Sequence, residues 1–346
     1  MDIKRLVRPS VRDLRAYEAK ETPARVKLDA NESPFGCPAV KGLAANRYPD
    51  PEARALKAAL ARRLRVRASN ILAGNGSDEL IYYLITTFGG PVMYPTPTFS
   101  MYGIIAQALG QERVEVPLDG AFDLREGEML REARARRAKL IFLSSPNNPT
   151  GNCFSPERIT RLIEGSGAVV VVDEAYQPFS GRGSFLRLLG KHENLLVMRT
   201  LSKVGLAALR VGFLIGGEAA LSEVNKVRLP FNLNAMSQAL ARRALEDPAW
   251  MRSAVKAIVS ERKRLLVEMS AVPGIEAYPS DANFVLFRAP EPRRLHAELL
   301  KRGVLVRDLS GAVPGCLRVT VGSEKENEAF MRALRAALRA AGAGGV

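Results

Sequence analysis

Ala168-Val169-Val170-Val171-Val172-Asp173-Glu174-Ala175-Tyr176 is the stretch on which the fold turns. Five consecutive apolar residues, four of them β-branched, leave no polar face at every second position, so the segment predicts a strand covered on both sides. Such strands belong to parallel sheets flanked by helices. The run ends in Asp173, and the carboxyl ends of parallel strands are where open α/β sheets bind ligands. A strand-end cap is the plainer alternative for this aspartate. Glu174 should face away from it, because side chains of an extended chain alternate.

Outward from this strand, similar apolar runs at residues 92–94, 140–144, 195–198 and 211–215 alternate with helical patterns. Pro51 opens one helix whose Leu56, Leu60 and Leu64 share a stripe, and Ser155-Pro156-Glu157 is an N-cap followed by proline at the first helical position. Beyond Pro248 the pattern changes to a long helix reaching residue 269, a strand at 283–287, a helix at 292–301 and strands at 304–306 and 317–321. Ser323 and Glu326 form a capping box for a final helix. The reading is an α/β chain with a mostly parallel sheet and flanking helices in a large domain, plus a smaller α/β domain. Residues 1–30 form an arm joining the small domain, 31–240 the large domain and 241–346 the small one, with an Ala/Gly tail that frays.

Composition narrows the function. Cys37, Cys153 and Cys316 are odd in number and widely spaced, and only His192 and His296 exist, which disfavours a disulfide framework, a zinc centre or a histidine triad. No apolar run approaches the length of a membrane span, and Lys4, Arg5, Arg8 and Arg12 precede no apolar block, so neither a membrane partner nor a secretory signal is expected and the cytoplasm is the default compartment. The net charge of +15 is spread through alanine-rich helical segments without aromatic interleaving. It fits attraction of phosphorylated anions better than nucleic-acid binding.

Chemistry concentrates in three further segments. Thr200-Leu201-Ser202-Lys203-Val204-Gly205-Leu206, closing in Leu209-Arg210-Val211-Gly212, combines an amine, a hydroxyl and a guanidinium, the groups that a phosphorylated aldehyde such as pyridoxal 5'-phosphate (PLP) requires. Taken alone, a lysine in a glycine-containing loop is more often simply solvated. Gly74-Asn75-Gly76-Ser77-Asp78 leads into a helical pattern, and a helix N-terminus is a ready anion site. Ser145-Pro146-Asn147-Asn148-Pro149-Thr150-Gly151 is a proline-rich turn by its bland reading. Its asparagine could equally donate, with Tyr176, to the phenolic oxygen of PLP, and Asp173 could pair with the pyridinium nitrogen.

Together with Val11–Tyr17, Leu28–Pro34, Arg47-Tyr48-Pro49-Asp50, Pro97–Tyr102, Gly303–Asp308 and Leu317–Gly322, these segments resemble the fold-type I PLP enzymes, and within them the histidinol-phosphate aminotransferase family, over nearly the whole chain. The resemblance implies that Lys203 is the Schiff-base lysine and proton shuttle. It implies that Asp173 holds the ring nitrogen, that Asn148 and Tyr176 bind the phenolic oxygen, and that Ser77, Asp78, Ser202 and Arg210 hold the cofactor phosphate. Tyr48 would reach the partner's site in a homodimer. Tyr102, with Phe99 as the alternative, would stack on the ring. Tyr17, Asn31, Arg307 and Arg318 would bind substrate, and Arg318 would take its anionic group. The implied reaction exchanges an amino group between L-histidinol phosphate and 2-oxoglutarate; relatives act instead on aromatic amino acids or decarboxylate threonine phosphate, and some fold-type I domains are PLP-sensing regulators. One departure stands out: seven steps separate Lys203 from Arg210, where the family usually has eight. The shorter path is expected to be absorbed at Val204-Gly205.

Overall fold

The computed structural model describes residues 2–12, 14 and 46–342. Its larger sheet is built from β1 (Ile71–Asn75), β2 (Val92–Thr96), β3 (Arg113–Pro117), β4 (Leu140–Ser144), β5 (Val169–Asp173), β6 (Leu195–Thr200) and β7 (Val211–Gly216), in the spatial order β1-β7-β6-β5-β4-β2-β3. Strands β2 to β6 pair in parallel, whereas β7 runs antiparallel to both of its neighbours, β6 and β1. Every residue of β4 and β5 is buried, as a strand sandwiched between helical layers requires. The edge strand β3 alternates exposed and buried residues.

Each face of the sheet has its own core. Leu56 and Leu60 of helix Arg54–Leu64, Met129 of Glu126–Ala135, Ile159 of Pro156–Gly165 and Ala241 of Ala235–Glu246 cover one face. Helices Ser77–Phe88, Met101–Ala108 and Glu218–Asn225 cover the other.

A second sheet holds β8 (Glu276–Ala277), β9 (Phe284–Arg288), β10 (Arg307–Asp308) and β11 (Cys316–Thr320), all antiparallel in the order β10-β11-β9-β8. Helices Pro292–Lys301 and Glu324–Gly342 pack on it. The helix Ala249–Ser270 connects the two bodies, with Met251 in the large core and Leu265 and Met269 in the small one. Among the described residues no helix is long and apolar enough to cross a membrane.

Three sequence expectations shift. The described part of the N-terminal arm joins the large sheet rather than the small domain: Ile3, Val7 and Val11 are buried against its second helical layer, and the Arg8 N–H donates to the Thr87 carbonyl. The strand expected at 304–306 is displaced to Arg307–Asp308, because the Val304 N–H closes the preceding helix on Leu299 and the carbonyl of Val306 meets His296 Nε2. Strands β1, β3 and β8 are additional: β1 is a short run interrupted by Gly74, the Arg113–Pro117 alternation is the pattern of an edge, and β8 is only two residues long.

Candidate active site

Topology gathers the candidate residues at one edge of the large sheet. Asp173 is the last residue of β5, the Asn148 turn follows β4, Lys203 follows β6, and Ser77 begins the helix after β1. Arg210 reaches the same edge because β7 is antiparallel: its first residue, Val211, lies opposite Asn75 at the end of β1.

Here an anion cup forms. The helix Ser77–Phe88 starts at Gly76 with no side chain capping its first N–H groups, which leaves backbone donors and the positive end of the helix dipole facing the site. Arg210 Nη1 lies 3.5 Å from Ser202 Oγ, and Nη2 lies 3.3 Å from Asp78 Oδ2. The Thr200 hydroxyl stands 2.9 Å from Ser202 Oγ and accepts the Ser202 N–H at 3.1 Å. Two glycines permit the close packing. A Cβ on Gly76 (φ +82°) would come within 2.4 Å of the Arg210 guanidinium, and one on Gly212 within 2.6 Å of the Gly76 backbone. The short Lys203–Arg210 path is accommodated at two left-handed positions, Gly205 (φ 98°) and Arg210 itself (φ 53°). The Asp78 carboxylate orients Arg210; toward an anion this residue can offer only its backbone N–H.

Asp173 sits deeper, 4% exposed, with Oδ1 accepting the Ala175 N–H at 3.0 Å and Oδ2 accepting the Tyr102 hydroxyl at 2.7 Å. Burial pushes its pKa up to about 6, against the lowering influence of these donors and of Lys203. Lys203 Nζ lies 5.6 Å from the centre of the Tyr176 ring. Burial, and then the nearby Arg318, hold its pKa below the ordinary lysine value, so more of the amine is neutral and nucleophilic. Tyr176 is buried and packs edge-on against Phe284, and burial raises its phenol to about 12, which keeps it a donor at neutral pH.

The ring-stacking role expected of Tyr102 needs correction. Its side chain is wholly buried, its ring lies parallel to Phe142 at 4.7 Å, and its hydroxyl is committed to Asp173. A ring so enclosed has no free face for a ligand. Phe99, half-buried and edge-on to Tyr102 at 5.6 Å, is the aromatic left for that task.

The small sheet contributes Arg318. Its Nη1 donates to Asn148 Oδ1, its guanidinium lies 5.0 Å from the Phe284 ring centre, and its buried Nε has no hydrogen-bond partner among the described residues. Because Arg318 takes the carbonyl end of Asn148, the amide N–H₂ is the end that can donate. Arg307 lies directly across the strand pair from Arg318 and lowers its pKa further, after burial. Like charges facing each other across a sheet are unfavourable until an anion lies between them.

An amine, a buried carboxylate, two phenolic-oxygen donors and an anion cup along one sheet edge match the aldehyde, ring nitrogen, phenolic oxygen and phosphate of PLP, so the residues fit this cofactor. Tyr17 and Asn31 lie outside the described residues. Tyr48 is 58% exposed and stacks on Phe231 at 4.6 Å, at the surface. Two contributors escaped the sequence reading, the Tyr102 hydroxyl and Thr200. Thr200 stands two residues before Ser202 in the same motif, but nothing in the sequence distinguishes it from a strand-end threonine. Glu174 faces away as expected, paired with Arg199 at 2.7 Å.

Comparison with known proteins follows the same lines. The family model for aminotransferase class I and II matches residues 11–334. The histidinol-phosphate aminotransferase of Aquifex aeolicus (strain VF5) is 44% identical over 345 residues, covering 95% of this chain and 97% of that protein. Among solved structures, the histidinol-phosphate aminotransferase from Clostridium acetobutylicum superposes with a TM-score of 0.80 at 23% identity, covering 86% of this chain and 92% of the other. The L-threonine-O-3-phosphate decarboxylase from Porphyromonas gingivalis does so with a TM-score of 0.75 at 24% identity, covering 85% and 90%. Aminotransferases and a decarboxylase thus share this fold, and it is the family match over most of the sequence that classifies the protein: the chain belongs to the aminotransferase class I and II family.

Proposed function

We propose that the protein is a PLP-dependent histidinol-phosphate aminotransferase, a cytoplasmic homodimer that converts L-histidinol phosphate and 2-oxoglutarate to imidazole acetol phosphate and L-glutamate in histidine biosynthesis. Similarity to the Aquifex protein along nearly its full length supports the substrate. The observation that carries the chemistry is the placement of Lys203 beside buried Asp173 and Tyr176.

PLP, when bound, supplies an aldehyde that takes up the amino group and a ring that accepts electrons from the substrate carbon. Lys203, whose amine burial and Arg318 hold below the ordinary lysine pKa, would be the residue that anchors the cofactor, and its Nζ would carry the proton removed from the substrate Cα. The Asp173 carboxylate would pair with the ring nitrogen and hold a proton there. Asn148 Nδ2 and the Tyr176 hydroxyl would donate to the phenolic oxygen. Ser77, Ser202, Arg210 and the backbone N–H of Asp78 would hold the phosphate. Arg318 and Arg307 bind the substrate's anionic end, for which the unpartnered Nε of Arg318 is a ready donor. Phe99 would pack on the ring.

Tyr48 reaches the partner's cofactor phosphate in this reading. Exposed Leu229, Met236 and Leu240 form apolar surface suited to that interface. Incubation of holoenzyme with L-histidinol phosphate and 2-oxoglutarate, with glutamate as the readout, tests the assignment.

A further inference from the structure

Away from the catalytic edge, a cavity of about 630 Å³ opens between the helices Arg54–Leu64 and Ala249–Ser270. It shares Thr200, Leu201 and Val204 with the segment that carries Lys203; apart from Thr200, none of the described residues assigned to cofactor or substrate lines it. The interior is apolar, with Leu60, Leu64, Phe179, Phe213, Val255 and Val259 around it.

Its charge is one-sided. Among the described residues, six cations and a single carboxylate border the cavity. Two of the cations are satisfied: Arg199 pairs with Glu174 at 2.7 Å, and buried Arg262 donates to the carbonyls of Phe179 and Ala282. The other four are Arg63, Arg252, Lys256 and Lys263, and none is ion-paired among the described residues. By contrast, Arg264, next in sequence on the same helix, faces away and holds both Glu261 and Glu268 at 2.6 Å. Arg63 feels the imbalance: burial, then Arg252 and Arg199, weaken its hold on its proton. An apolar hollow under uncompensated cations attracts a ligand that carries both features, since the body gains by leaving water and the charges gain by meeting the guanidinium and ammonium groups.

We propose that this cavity is a second ligand site, for a small organic dianion with an apolar body, of which an aryl phosphate is the simplest form. The site is coupled to the catalytic loop by contact. Trp250, the chain's only tryptophan, precedes the lining residues Met251 and Arg252, and its ring lies 3.1 Å from where a Cβ on Gly205 would stand, two residues after Lys203. Occupancy of the cavity therefore changes the surroundings of both Trp250 and the Lys203 turn.

Phenyl phosphate is the probe, added to holoenzyme so that the cofactor-phosphate cup is filled. The expected result is saturable binding of one molecule per chain by calorimetry, with a matching change in tryptophan emission. Affinity should be at least tenfold above that for inorganic phosphate or for benzyl alcohol. The double variant Arg252→Glu/Lys256→Glu should lose at least tenfold in affinity while its KM for the amino donor stays unchanged, and retained turnover reports that it is folded. Arg63→Gln alone should weaken binding in the same direction. Saturating L-histidinol phosphate should leave the binding in place. Absence of saturable binding, displacement by the substrate, or undiminished affinity in these variants would each overturn the proposal.

Discussion

The hydroxyl of Tyr102 donates to Oδ2 of Asp173 at 2.7 Å, inside a core where the tyrosine ring has no solvent exposure at all. A phenol in that position favours the ionised carboxylate and offsets part of the burial that raises Asp173 to about 6. Tyr102→Phe keeps the ring packing on Phe142 and removes only the donor. Loss of a hydrogen bond to a charged group is worth about 1.5–3 kcal/mol, so the Asp173 pKa in the cofactor-free protein should rise by one unit or more. A carbon-13 titration of aspartate carboxyls in the variant reads this directly, and an unmoved Asp173 signal would remove Tyr102 from the role.

The same shift carries a sign for stability. The folded protein binds the Asp173 proton more tightly than the unfolded chain, whose ordinary value is 3.8. This group's contribution is therefore fully present below pH ~4 and is lost as pH rises through about 6. Chemical denaturation of the cofactor-free protein should lose roughly 2–3 kcal/mol from this source across that window. Asp173→Asn should flatten the profile there, and a profile identical to wild type would contradict the buried, raised carboxyl.

Arg210 reaches the phosphate cup despite the shortened path from Lys203. Arg210→Ala should raise the Kd for PLP by one to two orders of magnitude, the effect of about 1.5–3 kcal/mol in a charge-assisted hydrogen bond. Gly76→Ala should act in the same direction, because its Cβ would collide with the guanidinium at 2.4 Å. Equilibrium titration of the cofactor-free variants checks both.

Arg318 donates to Asn148 and is proposed to bind the substrate's anionic group, so Arg318→Ala should cost roughly 2–5 kcal/mol in kcat/KM, as for a buried charged partner removed. The instructive comparison is L-histidinol phosphate with histidinol. A loss confined to the phosphorylated donor assigns the arginine to phosphate; an equal loss for both assigns it to orienting Asn148.

Much of this was legible in the sequence for a physical reason. A strand buried on both faces reads as a continuous apolar run, as Val169–Val172 of β5 does; helix starts are legible in Pro156 at a first helical position and in the Ser323/Glu326 pair, with the Ser323 N–H donating to Glu326 at 2.7 Å, whereas the Ser155 hydroxyl donates to Asp123 and does not cap its helix. The motif residues after β4, β5 and β6 are brought to one edge by the parallel order. What escaped reading depends on tertiary partners. No local pattern tells whether Tyr102 offers its face or its hydroxyl, since that is decided by Phe142 and Asp173, 40 and 71 positions away along the chain. Nor could the pattern place β10, because Val304 and Val306 look more strand-like than Arg307–Asp308, and only the register against Arg318 selects the latter.

Incubating holoenzyme with L-histidinol phosphate and 2-oxoglutarate, beside a parallel reaction with L-threonine O-3-phosphate, tests the central claim most directly. The account predicts stoichiometric glutamate from the first mixture, no carbon dioxide from the second, and loss of nearly all turnover in Lys203→Ala. Release of carbon dioxide from threonine phosphate without glutamate from histidinol phosphate, or normal turnover in Lys203→Ala, would contradict it.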